Sequence, residues 1–160
     1  MHIAKCEIRP MTCADIRRVS DILCEGYRFC AGPDNYSSSQ LEALLRDIGS
    51  VTAVENSFKR HVGQWFVACR NEAAGFIHLE KNEIVQLYVA VEFHRRGIAS
   101  ALFYRAQKII GRSYPNMFLT TTGYGAPFYV SMGMKKTGVI VCDSGPLAGN
   151  ILMKFEKELI

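Results

Sequence analysis

The stretch from Glu83 to Leu102, Glu-Ile-Val-Gln-Leu-Tyr-Val-Ala-Val-Glu-Phe-His-Arg-Arg-Gly-Ile-Ala-Ser-Ala-Leu, restricts the fold of this chain more than any other. Val85, Leu87, Val89 and Val91 alternate with Ile84, Gln86, Tyr88 and Ala90, so both faces are largely apolar. That pattern predicts a strand over 83–91 covered on both sides. Ile98, Leu102, Ala106 and Ile109/Ile110 then recur at helical spacing, which predicts a helix over roughly 97–111. The junction between the two is unusual. A helix start leaves its first N–H groups without partners, and Ser, Thr, Asp or Asn commonly supplies one. Here His94, Arg95, Arg96 and Gly97 lead in. They offer no short acceptor, and they set two cations against the positive end of the helix dipole. Two readings stand at this point. Either a multiply charged anion sits on the amides, with Gly97 allowing close approach and the arginines neutralising it, or the segment is a solvated basic turn.

Length and charge narrow the options. A chain of 160 residues predicts one domain, 1–160, with a substantial core. The net charge of +4 suits an anionic cofactor but is far from a nucleic-acid binder's footprint, so no nucleic-acid partner is expected. Arg95 and Arg96 also lack an aromatic platform beside them. No apolar run reaches the length of a membrane span, so no membrane partner is expected. The first residues alternate polar and apolar and lack the continuous core of a signal peptide, so a cytoplasmic location is expected. Six cysteines, at 6, 13, 24, 30, 69 and 142, form no C-x2-C pair and read as buried free thiols; no metal site is expected.

In chain order, residues 3–9 read as a half-buried strand with Ala4, Cys6 and Ile8 on one face and Lys5, Glu7 and Arg9 on the other, ended by Pro10. Thr12 and Asp15 resemble a capping box before a helix whose stripe is Ile16, Val19, Ile22/Leu23 and Tyr27. Turn residues over 30–36 precede a helix capped by Ser37–Ser39, with Leu41, Leu44, Leu45 and Ile48 inward; Gly49-Ser50 divides it from a helix near 51–61. Strands over 65–69, 74–79 and 83–91 form an antiparallel meander. A strand over 117–122 returns parallel to 83–91 after the central helix. A short helix over 128–132 and a closing antiparallel pair, 134–142 with 150–158, complete the chain.

The Glu83–Leu102 stretch followed by Ala126–Met134 resembles the GNAT superfamily of acetyl-CoA-dependent N-acetyltransferases. The family pattern Gln/Arg-x-x-Gly-x-Gly/Ala stands here as His94-Arg-Arg-Gly97-Ile-Ala99. The later pattern Ala-x-x-Phe-Tyr-x-x-x-Gly-Phe stands as Gly125-Ala-Pro-Phe128-Tyr129-Val-Ser-Met-Gly133-Met134. His94 replaces the usual Gln or Arg, Gly125 the usual Ala, and Met134 the usual Phe. The resemblance implies an α/β (α+β) GNAT fold: a single mixed, mostly antiparallel central sheet of about seven strands, helices on both faces, and a V-shaped splay between strands 4 and 5.

It also implies a chemistry. Acetyl-CoA would be the co-substrate, its pyrophosphate held by the amides around His94, Arg95, Arg96, Gly97, Ile98, Ala99 and Ser100. Its pantetheine arm would pair with the backbone of Leu87, Tyr88 and Val89, with Phe128 alongside. The Val89 N–H would face the thioester oxygen, where charge develops. Glu83 would take a proton from the amine, since an alkyl ammonium of pKa near ~10 cannot attack. Tyr129 would protonate the departing thiolate. Tyr27, Phe29, Asp34 and Tyr36 on one side, and Asp143 on the other, are the candidates around the acceptor. The reading is an N-acetyltransferase acting by direct attack in a ternary complex on a small-molecule or peptide amine. The alternative is a GNAT-like module that binds acyl-CoA or senses it without turnover, because fold does not fix function. A homodimer is compatible with both.

Overall fold

The computed structural model describes residues 6–159. The strand expected over 3–9 is seen as β1 (Glu7–Pro10), with Ala4 and Lys5 outside the described residues. Pro10 belongs to the strand, contrary to the expectation that it stops it. It is tolerated because β1 lies on the sheet edge, where one face of the ladder needs no donor. Thr12 and Asp15 do form the reciprocal cap. Asp15 also accepts from both terminal nitrogens of Arg9, at 2.8 Å each, and that guanidinium holds its carboxyl below the usual range. The cap therefore fastens the edge strand to α1 (Ile16–Cys30), whose Ile16, Val19, Ile22, Leu23 and Tyr27 are buried as the 3.6-residue pattern requires.

Ser37 caps α2 (Ser38–Leu44), which runs into a wider π turn over Leu45–Gly49; Ser50 then caps α3 (Val51–Lys59). The meander follows as β2 (Gln64–Cys69), β3 (Ala73–Glu80) and β4 (Glu83–Val89). After α4 (Ile98–Ile110) come β5 (Asn116–Thr121), α5 (Ala126–Ser131), β6 (Lys135–Val141) and β7 (Ile151–Glu158). The seven strands make one sheet in the order β1-β2-β3-β4-β5-β7-β6. All neighbours are antiparallel except β4 and β5. Val19, Ile22, Leu44 and Val54 from α1–α3 pack with Trp65, Val67 and Phe76 on one face. Leu102, Phe103 and Ala106 from α4, with Tyr129 from α5, pack with Phe66, Ile77, Leu119 and Phe155 on the other. Helices thus cover both faces of a mostly antiparallel sheet, as the resemblance implies.

The central strand departs from its sequence pattern in three ways. It stops at Val89, and a 3-10 turn occupies Val91–Phe93, its first N–H donated to a carboxylate oxygen of Glu25. The register slips between His78 and Leu79, which leaves Val85 as an extra residue opposite β3. That bulge flips parity, so Ile84 shares a cluster with Leu87 and Val89 although simple alternation puts it with Gln86 and Tyr88. Third, β4 is not covered throughout. Its only pairing to β5 is Glu83 with Phe118, after which the two strands part. Leu87 and Val89 remain half-buried along the opening and Val85 is exposed. Completing the burial of such side chains is worth about 1–2 kcal/mol each, an energy the free sheet leaves ungained. The six cysteines are unpaired as expected, but none is fully buried and Cys13 is exposed.

Candidate active site

The parting of β4 from β5 determines what the backbone can offer. The Ala90 N–H donates to the Ala74 carbonyl, so Ala90 and Tyr88 turn their main-chain groups toward β3. By the alternation of an antiparallel ladder, Leu87 and Val89 turn theirs toward the gap. The Val89 carbonyl is taken by His94 at 2.8 Å. A carbonyl only accepts, so the imidazole Nε2 carries the proton and donates it. The N–H groups of Leu87 and Val89 remain directed into the opening. His94 thus pins the loop to the strand end, and its ring meets that of Phe29 edge-on, with centroids 5.4 Å apart.

The loop then enters α4 without a side-chain cap. Ala101 is the first residue whose N–H reaches back into the turn, to Gly97; among the described residues the amides of Ile98, Ala99 and Ser100 have no backbone acceptor. Arg95 and Gly97 both take left-handed conformations, with φ of 62° and 81°. Such alternation curls successive N–H groups into a concave anion-binding nest. A Cβ built at Gly97 would meet nothing within 4 Å, so the space in front of the nest is open. The two arginines divide. Arg95 lines the opening, while the Arg96 guanidinium lies over the Phe93 ring at 5.5 Å and does not line it. This geometry favours the anion-site reading of the junction over the solvated turn.

Nest and gap open into one cleft of about 750 Å³. It brings together Leu87, Tyr88, Val89, His94, Arg95, Gly97, Ile98, Ala99 and Ser100 with Phe128 and Tyr129, and with Tyr27, Phe29 and Tyr36 on the far wall. It does not include Arg96, Glu83, Asp34 or Asp143. Glu83 sits half-buried at the closed end of the V, where burial and then neighbouring Glu80 push its carboxyl pKa up. Asp34 accepts from the Thr122 hydroxyl at 2.7 Å and the Tyr124 N–H at 2.9 Å, clasping the loop after α1 to the loop after β5. Asp143 is exposed on the β6–β7 loop, whose neighbours Ser144–Leu147 do reach the cleft.

Tyr129 is 9% exposed, packed between Phe103 and Phe128. Burial raises its phenol pKa well above the ordinary value, and its hydroxyl makes no hydrogen bond among the described residues. Gly125, which departs from the family pattern, fits its surroundings: a Cβ there would come within 2.5 Å of Thr121 Oγ1. On the far wall, burial raises the phenols of Tyr27 and Tyr88, whose rings meet edge-on at 5.6 Å; Tyr36, half-buried, is pushed up to about 12. Gly26 makes room for that arrangement, since a Cβ there would lie 2.7 Å from the Tyr88 ring.

Sequence reasoning missed Gln86, Thr121 and Tyr124, which also line the cleft. Gln86 had a signal of its own, a lone polar side chain in an apolar strand. Among the described residues of the lining there is no carboxylate; its charged or titratable basic groups are Arg95 and His94.

Residues 33–154 match a family model described as an acetyltransferase (GNAT) domain. Several solved structures share the fold. The GCN5-related N-acetyltransferase from Rhodopseudomonas palustris is 18% identical, with 99% of each chain covered and a TM-score of 0.85. PaiA N-acetyltransferase from Thermoplasma acidophilum, determined in complex with coenzyme A, is 21% identical over 95% of this chain and 98% of that one, with a TM-score of 0.74. A phosphinothricin acetyltransferase from Sinorhizobium meliloti, determined in complex with acetyl-CoA, is 14% identical over 97% and 89%, with a TM-score of 0.72.

Proposed function

Because the chain belongs to the GNAT acetyltransferase family, we propose that it transfers the acetyl group of acetyl-CoA to a primary amine by direct attack within a ternary complex. One observation carries the reading: β4 leaves β5 after a single bridge and exposes an unpaired backbone edge that leads into an uncapped helix start. An open edge of that kind accepts an extended chain, and the amides beyond it accept a diphosphate. The residues present fit acetyl-CoA, which supplies an acetyl group activated as a thioester.

The chain's own groups then divide the work. The amides of Ile98, Ala99 and Ser100 hold the pyrophosphate, with Arg95 offsetting its charge. The N–H groups of Leu87 and Val89 stabilise the negative charge that grows on the carbonyl oxygen. Distance helps to choose between them. Glu83 and Val89 are six residues apart, roughly 18–20 Å along an extended strand, whereas Leu87 is roughly 13 Å away. If Glu83 is the base, the Leu87 amide is the better-placed donor, and Glu83 acts through water. Its raised pKa brings it nearer the working pH, as a base requires. Tyr129 keeps its proton on Oη because burial disfavours the phenolate. The same burial disfavours a bare thiolate, so the proton passes between two groups whose pKa values are both raised.

The test is free-thiol release from acetyl-CoA across alkyl amines, polyamines, amino acids and short peptides, with calorimetry of coenzyme A alongside. Thiol release with at least one amine supports acetyl transfer. Tight coenzyme A binding without release across the panel supports a non-catalytic acyl-CoA module instead.

A further inference from the structure

Where β4 parts from β5 the cleft crosses the sheet, and its two halves belong to different cores. Leu87, Val89, Ile98 and Phe128 pack with the cluster under α4, on the side of the nest. Tyr27, Tyr36, Tyr88, Ile48 and Leu147 pack with the cluster under α1–α3, on the opposite face. Alternation along β4 produces the division, since Leu87 and Val89 face one way and Tyr88 the other. The uncapped helix start assigns an anionic cofactor to the α4 face, which leaves the α1 face to the acceptor.

That second half is built without a counter-charge. Among the described lining residues of the cleft there is no carboxylate, and Glu83 stands outside the lining at the closed end of the V. Three acids on the flanking elements are engaged elsewhere. Asp34 accepts from Thr122 and Tyr124, Asp47 pairs with Arg46, and Glu25 accepts from the Val91 N–H. The two basic side chains of the described lining, His94 and Arg95, belong to the loop entering α4, so this half holds no cation for a carboxylate either.

Its surface is aromatic and aliphatic instead. The Tyr27 and Tyr88 rings meet edge-on at 5.6 Å, and Ile48 and Leu147 add aliphatic area. The polar groups there include the phenols and the Gln86 amide, and burial disfavours the phenolates of Tyr27, Tyr36 and Tyr88. Neutral acceptors of this kind can orient one amine, but they do not balance a second charge, and a buried ammonium without a partner is strongly disfavoured. The same desolvation lowers the pKa of an entering amine and so favours the uncharged form that attacks.

We propose that the acceptor is a monoamine carried on an apolar body, an alkyl or aryl-alkyl amine with no second charge, its chain or ring packed against Tyr27, Tyr88, Ile48 and Leu147. This inference rests on the acetyl-transfer reading and names the acceptor class for it.

The discriminating pair is hexylamine and pentamethylenediamine, equal in length and differing only in that an ammonium replaces the terminal methyl. In the thiol assay near pH ~8, where both amines are charged in solution, hexylamine and phenethylamine are expected to exceed the diamine in kcat/KM by about a hundredfold or more. Each methylene from butylamine to hexylamine is expected to add about threefold. Leu147→Asp, at a half-buried loop position, is expected to raise kcat/KM for the diamine about tenfold or more over its uncharged isostere Leu147→Asn. Calorimetry on the protein loaded with coenzyme A reads binding without turnover, and phenethylamine is expected to bind where the diamine does not. A diamine turned over as well as hexylamine overturns the proposal while upholding acetyl transfer. A Leu147→Asp variant no better than Leu147→Asn on the diamine also counts against it. Binding of phenethylamine alone, with no thiol released from any amine, keeps the apolar acceptor half and discards acetyl transfer.

Discussion

Replacing Tyr129 by Phe separates a packing role from a proton-donor role, because the two predict opposite outcomes. The ring is held by Phe103 and Phe128, with centroids 6.4 and 5.1 Å away, and phenylalanine keeps those contacts. The residue lines the cleft, and its hydroxyl, which makes no protein hydrogen bond among the described residues, is not one of the side-chain atoms shut off from solvent. Removing a hydroxyl that still meets the cleft relieves only a small part of the about 1–3 kcal/mol that complete burial of an unsatisfied group costs. With 9% of the residue still exposed, a gain of about 0–1 kcal/mol is the reasonable share. For a chain of this size that corresponds to a rise of up to about 4 °C in Tm. Turnover should fall by about 10²-fold, the typical contribution of a general acid, with acetyl-CoA affinity retained. Thermal denaturation and steady-state kinetics on the same preparation read both quantities. A packing role alone predicts unchanged kcat. Unchanged turnover removes Tyr129 from the mechanism, and a fall in Tm by several degrees shows that the hydroxyl has a partner the argument denies it.

Three further outcomes follow from the same geometry. Gly97→Ala places a Cβ at φ 81°, which costs about 1–2 kcal/mol of stability, and stands in front of the nest; calorimetry should show coenzyme A binding weakened about tenfold or more, and unaltered affinity would argue against the nest. Glu83→Gln should lower kcat/KM by about 10²-fold near neutral pH and abolish the acid limb of its pH profile, and a profile that keeps this limb would assign it to another group. Burial raises the phenols of Tyr27, Tyr88 and Tyr129 in the folded chain. Above pH 10 the unfolded chain then binds fewer protons than the folded one, so stability falls as pH rises. Three such groups together remove about 4 kcal/mol between pH 9 and pH 11, the slope steepening through the reference pKa of ~10, and a chemical-denaturation series over that range that stays flat would contradict their burial.

Much of the fold was legible because local rules and tertiary packing agree. The Thr12/Asp15 and Ser37/Gln40 caps, the stripe of α1 and the Ile98–Ile110 helix all satisfy the same pattern in isolation and in the folded chain. The junction at 94–97 was legible for the reverse reason: basic residues at an uncapped helix start break a local rule, and such conflicts collect at binding sites. Other features had no local signature. The bulge at Val85 changes which face Ile84 occupies, yet nothing in the alternation marks it. Asp34 is a loop acid in the sequence and a clasp in the structure, because its partners Thr122 and Tyr124 lie some ninety positions away.

The amino-acid order by itself determined the elements, their succession and the uncapped basic turn at 94–97, since each depends on residues within one or two helical turns of one another. The tertiary structure alone decided where β4 and β5 part, which side chains Tyr27, Tyr88 and Tyr129 share the cleft with, and that the Trp65 N–H is buried without a partner among the described residues. Those outcomes depend on strand register and on contacts between distant segments. Register is set by packing summed over the whole sheet, which no short window of sequence contains.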